Sequence, residues 1–246
     1  MNINPRQQQV LLAVIHNYIE CAEPTASKTI TENYDLGVSP ATVRAEMLWL
    51  EENGYLYQPH TSAGRVPTDK GYRFYVDRLM QVYNLNKSEQ QKIEDEYRFL
   101  SQSVSHILQK TVRFVSDLLE CSTMITSPDR SEIYASGTTQ LIHRPDFNDV
   151  GKIRNVLDAL EEKQKLIDML NEELGEETSM LRIGAESNTP KLADCSVIVT
   201  RYNYHDRPAG IISLITTKRT RYDKVTSSIH AIVEQIDQAF DRLDNY

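Results

Sequence analysis

The chain has 246 residues, 40% of them hydrophobic and 25% charged, with a formal net charge of −8. That length holds one large domain or, as expected here, two modest ones with separate cores, in a composition ordinary for a globular protein. No apolar run reaches bilayer length and the start MNINPRQQQ has no signal-peptide pattern, so a cytoplasmic chain is expected rather than a membrane-spanning or secreted one.

Pro5 suits a first helical turn, and Val10, Leu11, Val14, Ile15 and Tyr18 recur on one helical face that ends near Ala22-Glu23-Pro24. A short second helix opens at Thr25 or Ser27 and carries Lys28, Ile30 and Tyr34. Asp35-Leu36-Gly37-Val38 reads as a tight turn in which Gly37 takes positive φ, and Ser39-Pro40 as the N-cap and first turn of the next helix. Short helix, glycine turn and capped helix make a helix-turn-helix. Val43, Met47 and Leu50 should face the core. The opposite side offers Ala41, Thr42, Arg44 and Ala45, small enough to enter a major groove, with Arg44 reaching guanine edges or phosphate.

Asn53-Gly54 stops that helix. Tyr55-Leu56-Tyr57-Gln58 and Arg65-Val66-Pro67 then flank the polar tip Pro59-His60-Thr61-Ser62-Ala63-Gly64, the pattern of a β-wing. His60, Thr61, Ser62 and Arg65 are placed to meet backbone phosphates or the minor groove. Thr68 caps a further helix with a buried stripe of Tyr72, Val76, Leu79 and Tyr83. The net acidity opposes nucleic-acid binding, and residues 1–80 hold seven Lys/Arg against nine Asp/Glu. Placement reverses the balance locally. From Gln58 to Met80, Arg65, Lys70, Arg73 and Arg78 face only Asp69 and Asp77, which predicts salt-sensitive binding. The expected double-stranded DNA contacts are Ser27, Lys28, Ser39, Ala41, Thr42, Arg44, Ala45, His60, Thr61, Ser62, Arg65, Lys70 and Arg73.

After the linker 84–87, Ile93, Tyr97, Leu100, Val104, Ile107, Thr111, Phe114 and Leu118 follow a 4-3 heptad spacing. Two readings stay open. One is a long helix over 84–120 that joins two copies through Ile93, Tyr97, Leu100, Val104, Ile107, Phe114 and Leu118. The other packs it on its own domain, widened by Leu108, Val112, Val115 and Leu119. Downstream, strands are expected at 121–127, 132–136, 180–184, 194–202 and 209–216, and helices at 149–171 and 222–243. The fold class is therefore α+β: a winged helix-turn-helix at 1–83, a connecting helix at 84–120, and an antiparallel sheet with flanking helices at 121–246.

Enzyme chemistry finds no support. Glycine-rich phosphate loops, a G-x-S-x-G elbow and H-E-x-x-H are absent, so no catalytic residue, cofactor or metal site is expected. Cys21, Cys121 and Cys195 have no ligand spacing and are expected as small, reduced, buried hydrophobes. His143, His205 and His230 likewise show no metal spacing.

The stretch EPTASKTITENYDLGVSPATVRAEMLWLEENGYLYQPHTSAGRVPTDKGYRFYVDRLM resembles the N-terminal domain of the heat-inducible transcription repressor (HrcA) family, most specifically in QPHTSAGRVPTDKGYRFYVD. IYASGTTQLIHRPDFNDV, LRIGAESNTPKLADCSVIVTRY and GIISLITTKRTRYDKV resemble that family's GAF-like domain. The resemblance implies a dimeric repressor that binds an inverted repeat (CIRCE) upstream of chaperone operons and is kept active by chaperonin. It also implies a longer chain. Family members insert a dimerising domain where Leu119-Glu120-Cys121 here leads almost directly to Glu132-Ile133-Tyr134. The family's glycine-proline pattern near the last strand is replaced by Thr216-Thr217-Lys218, and an acidic position by Arg221. A winged-helix regulator with a small-ligand-sensing GAF-like domain is the nearest alternative, and a protein-interaction module that has lost DNA binding the next.

Overall fold

The computed structural model describes residues 3–98, 100, 103–205 and 207–243. Two compact units emerge, and neither follows the expected boundaries. The first is Met1–Gln81 together with Lys218–Tyr222; the second is Val82–Thr217 with Asp223–Tyr246.

In the first unit, α1 (Pro5–Cys21) starts at a capping box: the Asn4 side chain accepts from the Gln7 backbone and the Gln7 side chain accepts from that of Asn4. Its stripe Val10, Leu11, Val14 and Ile15 is fully buried. Ser27–Asn33 forms α2, and Gly37 takes φ +63° in the turn that follows. Ser39 caps α3 (Pro40–Glu52), which buries Val43, Met47 and Leu50 as its pattern predicts. A two-residue antiparallel pair, β1 (Leu56–Tyr57) and β2 (Val66–Pro67), makes the hairpin.

The helix after Thr68 differs from expectation. α4 (Asp69–Phe74) passes into one π turn, Tyr75–Leu79, closed by Met80 N–H donating to the Tyr75 carbonyl at 2.7 Å. The wider turn rotates the register, so Tyr72 and Tyr75 are buried while Val76 and Leu79 are only partly covered, and Tyr83 lies beyond the helix, which ends at Leu79.

The second unit is a five-stranded antiparallel sheet in the order β4-β3-β7-β6-β5. Its strands are β3 (Ser122–Thr126), β4 (Ile133–Ser136), β5 (Ser179–Ile183), β6 (Cys195–Tyr204) and β7 (Arg207–Thr217). Helices cover both faces. Ile125, Ile198, Ile212 and Leu214 pack on α5 (Lys87–Tyr97), α6 (Val104–Leu119) and α10 (Tyr222–Leu243). The alternate residues Met124, Val197, Val199, Ile211 and Ile215 pack on α7 (Thr138–Ile142), α8 (Val150–Glu161) and α9 (Lys163–Leu174). A sheet covered twice needs apolar residues on both sides, which explains the uninterrupted runs in β6 and β7.

Three expectations are corrected here. The helix over 84–120 is two helices, α5 and α6, and the heptad seam belongs to the unit's own core. Ile93, Tyr97, Leu100, Ile107 and Phe114 are buried in it, and Val104 and Leu118 pack against it. The amphipathic face is wide because it meets a sheet and α10, so these side chains are not a free dimer surface. The helix expected at 149–171 breaks at Glu162. Of the cysteines, Cys121 and Cys195 are buried but Cys21, the last residue of α1, is exposed.

Candidate nucleic-acid interface

Most of the expected contact residues lie on α2, α3 and the hairpin tip. The exposed side of α3 carries Ala41, Thr42, Arg44 and Ala45. Arg44 makes no hydrogen bond or ion pair among the described residues. Ser39 and Thr42 are committed to the start of α3: the Ser39 hydroxyl accepts from Thr42 N–H at 3.2 Å and lies 3.0 Å from the Thr42 hydroxyl. At the hairpin tip His60, Thr61 and Ser62 are exposed. A polar groove of about 290 Å³ separates tip from helix and is lined by Ser27, Arg44, Gln58, Thr61, Ser62 and Arg65, among others.

The basic residues beyond Arg44 are more constrained than their spacing suggested. Arg65 Nη2 sits 2.8 Å from Glu51 Oε2 with its side chain only 15% exposed, and its Nε is buried without a partner. Its charge is matched inside the fold, and the pair ties the hairpin to α3. Lys70 donates to the Asn53 carbonyl at the end of α3 at 2.8 Å and lies 4.3 Å from the centre of the Tyr55 ring. Arg73, half-buried, pairs with Asp77 at 3.3 Å, and the exposed Lys28 pairs with Glu32 at 3.7 Å, each across one helical turn.

A clamp absent from the sequence reading seats the hairpin. Thr25 and Arg65 exchange two backbone hydrogen bonds of 2.9 Å, and the buried Asn17 side chain donates to the Thr25 hydroxyl at 3.1 Å. Gly64 lies so close that a Cβ there would fall 2.4 Å from the Thr25 carbonyl. Gln58 Nε2 donates to the carbonyls of Thr61 and Ala63, fixing the tip from within. Leu48 was also missed. At 48% exposure it continues the strip of Ala41 and Ala45 on α3, a position that helical spacing alone reveals.

Among the described residues no group of three His, Cys, Asp or Glu side chains is gathered to hold a metal, and no helix is long and apolar enough to cross a membrane. Residues 77–226 match the family described as the HrcA protein C-terminal domain. The heat-inducible transcription repressor HrcA of Pelotomaculum thermopropionicum is 27% identical over 342 positions, covering 99% of this chain and 98% of the relative. That of Symbiobacterium thermophilum is 28% identical over 335 positions, covering 96% and 98%. Both alignments exceed the 246 residues available here, so each relative carries a long stretch with no counterpart in this chain. A crystal structure of a hypothetical protein at 2.2 Å resolution shares the fold, with a TM-score of 0.77, 22% identity and 99% coverage of both chains. With the C-terminal match spanning more than half its length and named repressors aligned along nearly all of it, the chain belongs to the HrcA family of heat-inducible transcription repressors, regulators rather than enzymes.

Proposed function

We propose that this repressor binds duplex DNA through its first unit, read as a winged helix-turn-helix, with α3 in the major groove and the 59–64 tip on the flanking backbone. One observation carries the reading. Arg44 stands unpaired and exposed on a strip of small residues, the shape that lets a helix approach base edges. The second unit, read as a shortened GAF-like domain, is the regulatory half. Two copies meet on one operator, because an inverted repeat presents two half-sites to two copies of α3. Chaperonin is the proposed partner that holds the repressor active, as the family resemblance implies. Without a separate dimerising insertion and with the 93–118 seam buried, contacts between copies fall elsewhere.

Binding to the family's inverted repeat and to a scrambled duplex, each at two salt concentrations, tests the reading. The expected result is tight binding to the repeat alone, with affinity falling steeply as salt rises. Equal, weak, salt-sensitive binding to both duplexes would remove the operator assignment.

A further inference from the structure

The break between α8 and α9 has no cause in its own sequence. Asp158-Ala159-Leu160-Glu161-Glu162-Lys163-Gln164-Lys165 contains neither glycine nor proline, and all of its residues but Asp158 favour helix. Yet Glu162 leaves the helical region with φ −86° and ψ 46°. A tertiary contact meets the break: Lys191, from the turn that precedes β6, reaches Glu162 Oε1 at 3.0 Å and the Asp158 carbonyl near the end of α8 at 3.4 Å. Lys165 takes the other carboxylate oxygen at 3.0 Å.

The bend opens a cavity of about 400 Å³, within the size range of small-molecule sites. Its walls are largely aliphatic, from Ala159, Leu166, Met169 and Pro190, beside the polar Asn188 and Thr189, and its mouth carries Lys165 and Lys191 against the single carboxylate of Glu162. The mouth therefore has one positive charge in excess. Both ion pairs are solvent-exposed, with side-chain exposures of 72% and 47% for Lys165 and Glu162, so little free energy resists exchanging one carboxylate for another. We infer that this cavity binds a medium-chain aliphatic monocarboxylate, its tail against Leu166 and Met169 and its head on Lys165 and Lys191. An incoming carboxylate takes the lysines from Glu162, whose own carboxylate is left to solvent. A small second cavity of about 40 Å³ near Thr126 and Asn171 has no room for such a tail.

The test is calorimetric titration of the full chain with octanoate, 1-octanol and octylamine. Octanoate should bind at one site per chain, with octylamine at least tenfold weaker and octanol between. The Lys165→Gln/Lys191→Gln double variant should lose the preference for the carboxylate and at least tenfold in octanoate affinity. Met169→Trp should block all three probes by filling the cavity. The lysine pair lies on the surface, so that variant keeps its fold, checked by its circular dichroism spectrum. Equal affinity for octanoate and octylamine, or octanoate binding indifferent to the lysine change, overturns the inference. No DNA enters the measurement, so its outcome is separate from that of the operator reading.

Discussion

Arg44 and Leu48 share the exposed side of α3 but should read DNA by different physics. A guanidinium donates to guanine O6 and N7, whereas a leucine tip touches thymine methyls. Arg44→Ala is expected to lower affinity for the inverted repeat by about 10- to 100-fold, since a good bidentate contact discriminates by roughly 1–3 kcal/mol. Its affinity for scrambled duplex should stay close to that of the parent, as read by fluorescence anisotropy. Leu48 is separable by a cycle between protein and DNA. Replacing thymines of the half-site with deoxyuridine should weaken the parent protein yet leave Leu48→Ala little changed. If both proteins lose equally, Leu48 touches no thymine methyl. Thiol chemistry gives a further residue-level expectation. Burial pushes the Cys121 thiol up to about 12, and Cys195 is also buried, while Cys21 is exposed. A raised thiol pKa means less thiolate at any working pH, and thiolate is the reactive form. Ellman's reagent at pH 8 should therefore count one thiol in the native protein and three after unfolding.

At the scale of elements, the hairpin is positioned by what it rests on rather than by its own two residue pairs. Gly64→Ala would drive a methyl into the Thr25 carbonyl, and overpacking of this kind costs about 1–3 kcal/mol. The tip should lift, lowering both the melting temperature of the first unit and its DNA affinity, which a thermal melt and an anisotropy titration would show. This dependence on neighbours also explains which elements the sequence disclosed. α10 was readable at 222–243 from one amphipathic stripe, and each strand of the large sheet to within two residues, because burial on one or both faces leaves a local periodicity. The seating of Gly64 on Thr25, the bend at Glu162 and the pairing of Arg65 with Glu51 leave none. Each involves a partner more than ten residues away, and no local pattern encodes it. The heptad spacing of 93–118 shows the converse. A 4-3 repeat states that one helical face is buried but not against what, and here the burial is supplied by the domain's own sheet and α10.

At the scale of the whole molecule, the first unit is not a contiguous piece of chain. Five residues that follow β7 in sequence, Lys218–Tyr222, complete it. Arg219 is buried and donates to the Ile19 carbonyl at 2.8 Å, in the last turn of α1. Lys218 pairs with Asp69 at 2.8 Å, and the fully buried Tyr222 ring lies 5.8 Å from that of Tyr72. A fragment ending near residue 83, the boundary that the sequence suggests, would lack all three contacts and expose Tyr72. Removing a buried aromatic typically costs about 3–5 kcal/mol, a large share of what holds a small domain together. Trp49, the chain's single tryptophan, sits on α3 and reports on this unit alone. In the full chain, Tyr222→Ala should shift the Trp49 fluorescence transition to lower denaturant by an amount equal to about 3 kcal/mol. The isolated 1–83 fragment should unfold earlier still. If Trp49 reports one unchanged transition in both, residues 218–222 add nothing to the stability of the first unit. A displaced transition would mean that the stability of that unit depends on a segment encoded between two stretches of the second unit.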